Sequence, residues 1–402
     1  MWVVLQLLSA LLLISSTTVA GPVATKHETG TPIRLERRSQ YVSANGHVNL
    51  VALSRHYKAL DNKYTKCMEN YRRNTGHVHP LKTSDSKKQK SVSKRDGSSV
   101  QLKDVGHELL WSGEVSFGGQ NISLDFDTGS ADTLVNPSAY NPSRSQTSKN
   151  TNQPFRTAYG DGTKAEGTIY TDKFSIAGFQ AENVSIGVSV QEFMGQNQQP
   201  SQGIGGLSFP SLQAFPKDFP PFFESLRQQK AMSRGVFQFT LKPDSGSELH
   251  IGGIDQSKAK GDFSYAKVDA SQGFWVTPAS INGKSITAIV DSGSTIITGP
   301  LNEVRSVVHT MEGLMPVDQQ GATAFLFDCE KTPEVTISIA GLDVKLNKAQ
   351  THFGQTQGRC MLPIVGQDGM PMNAWIIGDT LFQATTIVFD VDQTQIGFAL
   401  QA

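Results

Sequence analysis

Leu124-Asp125-Phe126-Asp127-Thr128-Gly129-Ser130 and Ala288-Ile289-Val290-Asp291-Ser292-Gly293-Ser294 are two versions of one phrase: an apolar strand, then Asp, a small hydroxyl residue and Gly. A single Asp-Thr-Gly is ordinary turn chemistry, because Asp and Gly are what tight turns require. The duplication changes its weight. Each copy is followed about eighty residues later by an apolar-Gly segment, Ile204-Gly205-Gly206-Leu207 in the first half and Trp375-Ile376-Ile377-Gly378-Asp379 in the second. An internal repeat on this scale implies two similar halves, each presenting one carboxylate after a hydrophobic strand.

Two carboxylates held about 3 Å apart cannot both ionise; the pair shares a proton and titrates as a unit. The ionised member can act as general base on a bound water while the protonated member donates to a carbonyl oxygen. Asp127 and Asp291 are the candidate catalytic pair. The hydroxyls of Thr128, Ser130, Ser292 and Ser294 can hydrogen-bond across the dyad and orient its carboxylates, and Gly129 and Gly293 let backbone approach backbone. This chemistry needs no metal and no cofactor, and it predicts activity at acid pH. The sequence has no His-Glu-x-x-His zinc helix, no Gly-x-x-x-x-Gly-Lys phosphate loop and no cysteine pair with metal spacing. His107, His250, His309 and His352 are isolated and read as surface or turn residues.

The net charge of zero over 402 residues hides a division. Residues 21–95 hold 16 Lys and Arg against 5 Asp and Glu, and residues 96–402 hold the remaining 20 against 31. A basic leader on an acidic body is either a nucleic-acid or membrane-surface arm or a removable segment held by complementary charge. The flanking sequence favours removal. Residues 1–20 have an uncharged apolar stretch, Leu5 to Ile14, closing on Thr18-Val19-Ala20, which suits a signal peptide although Lys and Arg are missing from its start. The polar stretch 81–100 contains the dibasic pair Lys94-Arg95, the expected cleavage point, with Arg37-Arg38 and Arg72-Arg73 as lesser candidates.

The expected plan is a signal peptide 1–20, a basic propeptide 21–95, an N-terminal lobe 96–266 and a C-terminal lobe 267–402. The product is expected to be secreted, with a vacuolar destination as the alternative, and to be a monomer that binds neither membrane nor nucleic acid. Residues 48–72 space apolar positions at three and four and predict a helix within the leader. Beyond Trp111 short alternating runs separated by Gly, Asn and Asp predict strands, among them Ile122–Phe126, Glu334–Ile339 and Thr386–Phe389. Brief helices are expected at Phe222–Gln229 and Asn302–Thr310.

Of the three cysteines, Cys67 lies in the leader, leaving Cys329 and Cys360 to form a bridge in an oxidising compartment or to remain as two buried thiols. Asn121-Ile122-Ser123 and Asn183-Val184-Ser185 are glycosylation sequons.

Residues from about 107 to 402 resemble the pepsin family of aspartic proteases, particularly its fungal members, on both Asp motifs, on Ala158-Tyr159-Gly160-Asp161-Gly162 and on Ser292-Gly293-Ser294-Thr295 with Thr298-Gly299-Pro300. The resemblance implies an all-β, bilobal fold, two similar lobes around a central cleft, and hydrolysis of polypeptide substrates. It implies a flap with Tyr159, Gly160 and Asp161 at its tip, substrate contacts at Gly129, Gly293 and Ser294, and a Cys329–Cys360 disulfide. In such relatives an acidic flap residue accompanies acceptance of Lys beside the scissile bond, the alternative for Asp161 being a turn residue that binds its own backbone. The leader resembles the family's inhibitory prosegment, with Lys63-Tyr64 as the element that blocks the dyad, so the propeptide is an expected intramolecular partner. Two departures stand out: Leu134 occupies the place of the family's Trp, which leaves Tyr159 without its usual partner, and Gly205 replaces an apolar residue in Ile204-Gly205-Gly206. A non-catalytic binding protein on the same fold is the alternative class, disfavoured because both Asp motifs are intact.

Overall fold

Alternating apolar residues, frequent β-branched side chains and Gly-rich turns drive the body into three sheets. A computed structural model describes residues 30–37, 41–43, 45–83, 111–158, 164–193, 201–242, 246–319 and 321–402. The expected signal peptide, the Lys94-Arg95 pair and the flap tip Tyr159, Gly160 and Asp161 lie outside these residues.

The fold is the all-β, bilobal pepsin-like one. The first lobe is built on an eight-stranded sheet in which Gln120–Asp127 runs parallel to Gly203–Gly206, with Leu124 opposite Gly203 and Asp127 opposite Gly206. The second is built on an eleven-stranded sheet in which Lys284–Val290 runs parallel to Trp375–Ile377, with Ala288 opposite Trp375 and Val290 opposite Ile377. The repeat read from the sequence is thus a repeat of local topology: each Asp leaves a strand that pairs in parallel with its apolar-Gly segment.

A six-stranded sheet joins Glu248–Ile251, Val236–Thr240 and Ala259–Lys267 to the C-terminal strands Thr385–Asp390 and Gln395–Gln401. Beneath it Phe237 stacks on Phe389 with centroids 4.8 Å apart, and Trp275 meets Phe389 edge-on at 5.0 Å. All three rings are fully buried, each contributing about 2–3 kcal/mol of apolar transfer. One edge of this sheet is a leader strand, Thr31–Arg34, paired antiparallel with Glu248–Ile251.

The leader helix runs over Leu50–Thr75. Asn49 caps it by accepting the Ala52 N–H, and Gly76, at φ 78°, ends it by donating to the Arg72 carbonyl. Leu53, Tyr57, Leu60, Tyr64, Cys67, Met68 and Tyr71 recur at three- and four-residue spacing and are buried, so one continuous stripe faces the body. Leu60, Tyr64, Cys67, Met68 and Tyr71 pack with Leu212, Phe274, Ile289, Met370 and Ile376. Short helices occur at Phe222–Gln228 and Leu301–Val308, and strands at Thr336–Ile339 and Thr385–Asp390, close to the predicted spans.

Candidate active site

The two Asp loops meet between the lobes and are tied by reciprocal hydrogen bonds. Thr128 N–H donates to Ser292 Oγ at 3.0 Å and Ser292 N–H donates to Thr128 Oγ1 at 2.9 Å. The same hydroxyls donate onward, Thr128 Oγ1 to the Val290 carbonyl at 3.0 Å and Ser292 Oγ to the Phe126 carbonyl at 2.8 Å. All four atoms are buried, so each side chain satisfies a main-chain group of the opposite lobe that has no other access to water. Thr128 and Ser292 therefore tether the lobes rather than the carboxylates, which narrows the expectation from the sequence.

The carboxylates are held by the residues that follow. Asp127 accepts from Gly129 N–H at 2.9 Å and Ser130 Oγ at 2.6 Å; Asp291 accepts from Gly293 N–H at 3.0 Å and Ser294 Oγ at 2.7 Å. A Cβ on Gly129 would lie 2.6 Å from Asp291 Oδ1, and one on Gly293 would lie 2.3 Å from Asp127 Oδ1. Each Gly is required because the partner carboxylate occupies the space. Gly206 and Gly378 serve the next layer: a Cβ there would strike the Ala131 backbone at 2.3 Å and the Ser294 carbonyl oxygen at 2.0 Å.

Asp127 and Asp291 act on each other directly, and their acidities are driven apart. Burial raises Asp127, with Lys63 opposing and the Asp291 charge reinforcing the rise. Burial also disfavours ionised Asp291, but Lys63 and hydrogen bonds from Asp127, Ser294 and Tyr64 outweigh it and hold that carboxyl well below the usual range. Opposed shifts of this kind are what two closely coupled carboxyls show.

Two leader side chains complete the cluster. Lys63 Nζ lies 2.8 Å from Asp127 Oδ1 and 3.0 Å from Asp291 Oδ2, and Tyr64 OH donates to Asp291 Oδ2 at 2.7 Å. Lys63 remains charged because the two carboxylates outweigh the cost of its burial, and its acidity is lowered accordingly.

Beside Asp127 a cavity is lined by Ser130, Leu134, Phe155, Leu212 and Ala214 and covered by the leader helix. Leu134 is buried with Phe155, Ile169 and Phe215 and lines this cavity. A Cβ on Gly205 would lie 3.3 Å from the Phe126 ring and 3.4 Å from Leu124, so these two side chains pack close against the glycine.

Cys329 and Cys360 form a disulfide, and Cys67 is a buried free thiol in the leader helix. Asn121 and Asn183 are exposed, Asn121 bonding Glu114 and Asn183 bonding Lys149. His250 departs from expectation: it is buried, not superficial, and lies within 3.7 Å of both Glu248 and Asp255, with Lys258 on Glu248. Sequence reasoning passed over Asp132, whose carboxylate accepts the N–H groups of Ala214 at 2.6 Å and Phe215 at 3.1 Å. No motif marks that contact, because its partners are backbone.

Two like loops that bring paired carboxylates together between β-rich lobes define an aspartic-type endopeptidase, a hydrolase of peptide bonds. The sequence profile described as eukaryotic aspartyl protease matches residues 111–401. The chain belongs to that family. It is 46% identical over 384 residues to secreted aspartyl protease 1 of Malassezia globosa, covering 95% of this chain and 96% of that one. It is 30% identical to an aspartic protease of Phaffia rhodozyma, over 76% of this chain and 80% of that one. Aspergillopepsin-1 of Aspergillus clavatus is likewise 30% identical, over 77% and 83%.

Proposed function

We propose that this chain is the precursor of a secreted, acid-active endopeptidase in which Asp127 and Asp291 share one proton and hydrolyse the peptide bond with a bound water. The observation that carries the reading is the contact of Lys63 with both halves of the dyad, reinforced by Tyr64 on Asp291. A cation seated between the carboxylates occupies the place a water and a scissile carbonyl would need, so the leader in position is incompatible with turnover.

In the active form the ionised carboxylate takes a proton from water, the water oxygen attacks the carbonyl carbon, and the protonated carboxyl donates to the carbonyl oxygen. The same pair then protonates the leaving amine. Gly129, Gly293 and Ser294 border the extended substrate, and Tyr159, Gly160 and Asp161 close over it as a flap. The leader, residues 21–95, acts as an intramolecular inhibitor and leaves after cleavage at Lys94-Arg95, following removal of residues 1–20. The mature enzyme comprises the lobes 96–266 and 267–402, carries glycans at Asn121 and Asn183, and acts extracellularly as a monomer. The names of the secreted fungal relatives support that destination.

The test is acid-pH hydrolysis of a denatured protein by the processed chain, with and without a transition-state-like hydroxyl peptide, beside Asp127→Asn and Asp291→Asn. Loss of at least about a thousandfold in kcat for each variant is expected, since neither residue can replace the other's role. Activity that survives either substitution, or that ignores the inhibitor, defeats the reading.

A further inference from the structure

The segment 211–214 turns its backbone two ways. Its N–H side faces inward, where Asp132 accepts from Ala214 and, next along, Phe215. Its carbonyl side faces the leader and receives side-chain donors. Asn74 Nδ2 binds the carbonyls of Ser211 at 3.1 Å and Gln213 at 2.9 Å, and Asn70 Nδ2 binds that of Leu212 at 3.1 Å. Arg73 Nη2 binds those of Gln213 at 2.8 Å and Ala214 at 3.0 Å.

Four consecutive carbonyls are thus met by amide and guanidinium groups, with a carboxylate behind them. Asp132 fixes the course of this backbone through the two N–H groups it accepts; burial raises its carboxyl to about 6, with those N–H groups and then Arg73 opposing, so at acid pH it acts by position and not by charge. Leu212 and Ala214 also line the cavity beside Asp127, so this backbone borders the cleft that a peptide must enter. When the leader departs the carbonyls lose these donors, and a planar group with several N–H bonds in a fixed fork is the side chain best fitted to span adjacent acceptors.

Resting on the protease reading above, we propose that the Ser211–Ala214 carbonyl row, backed by Asp132, is a subsite that recognises an arginine side chain of the polypeptide substrate, at a position flanking the scissile bond. In the precursor the leader's Arg73 takes its Gln213–Ala214 end, and Asn74 and Asn70 take the Ser211 and Leu212 carbonyls.

The experiment uses mature enzyme processed from the full chain and one parent peptide, with each position on either side of the cleaved bond set in turn to Ala, Lys or Arg. At one position Arg is expected to lower KM about tenfold relative to Ala, the effect of one charge-assisted contact, and to outdo Lys. Asp132→Asn is expected to shrink that Arg-to-Ala ratio, which as a ratio cancels any general loss of activity. A series in which no position favours Arg, in which Lys equals or exceeds it, or in which Asp132→Asn leaves the ratio whole overturns the assignment. Should the variant fold poorly, the Arg-to-Lys comparison in the parent enzyme decides alone. Cleavage of the Ala peptide, abolished by Asp127→Asn, tests the protease reading separately from the arginine series.

Discussion

Replacing Lys63 by Met in a precursor whose Lys94 and Arg95 are both Ala separates latency from processing. Lys63 Nζ bridges Asp127 and Asp291 at 2.8 and 3.0 Å, with its side chain 14% exposed and that of Asp291 at 0%. Removing one partner of a buried ion pair costs about 3–5 kcal/mol, because the remaining charge is left without compensation. Here the carboxylates can relieve part of that cost by taking up the proton they would share, which puts the loss near the lower end, about 3 kcal/mol. That corresponds to roughly a hundredfold fall in occupancy of the cleft by the leader. The uncleaved variant should therefore hydrolyse a short peptide and bind a transition-state-like hydroxyl peptide roughly a hundredfold better than the uncleaved parent. Mass spectrometry confirms that residues 21–95 are still attached, and Lys63→Arg should restore much of the latency. If the uncleaved Lys63→Met chain is as silent as its parent and binds the inhibitor no better, the leader is not held off the dyad by this ammonium.

Acid should loosen the leader through histidine as well. His56 is buried, and burial followed by the Lys63 charge lowers its imidazole to about 4; His79 is lowered by burial, with its hydrogen bond to the Gln272 carbonyl opposing. A depressed histidine favours the bound leader above the free value of 6.5 and loses that contribution as pH falls to about 4. For His56 the loss is on the order of 3 kcal/mol. Asp61, raised from 3.8 to about 7 by burial, acts in the opposite sense over the same pH range and by at least as much, so the histidine contribution is read by substitution and not from the net response. His56→Gln should move acid activation of the uncleavable precursor to lower pH, and an unchanged midpoint would exclude the histidine from the response. Thr128→Val removes a hydroxyl that satisfies the buried Ser292 N–H, so mature enzyme should lose about 1–3 kcal/mol of stability and also kcat, read by denaturant titration and steady-state kinetics. Replacing Cys329 and Cys360 by Ser opens a loop of sequence separation 31, worth about 3–4 kcal/mol in the chain-entropy treatment, and should lower the denaturation midpoint without changing the pH profile.

The sequence alone determined that two carboxylate loops follow apolar strands, that the body is β-rich and that a helix lies in the basic leader. Those features are written in spacing: strands in alternation, the helix in its three-and-four stripe, and the loops in a repeated Asp-hydroxyl-Gly phrase that local chemistry repeats only under a shared structural demand. Tertiary structure alone decided what the hydroxyls do. The four hydroxyls read alike, as groups that bond across the dyad and orient its carboxylates; the fold divides the work, Thr128 and Ser292 bonding the opposite lobe and Ser130 and Ser294 taking the carboxylates. The six-stranded sheet was also invisible, because its strands come from Thr31–Arg34, from Val236 to Lys267 and from the last residues of the chain, and pairing between distant segments leaves no local periodicity. The carbonyl row at 211–214 has the same character: main-chain acceptors exist at every residue, and only the folded path decides which of them face a side chain.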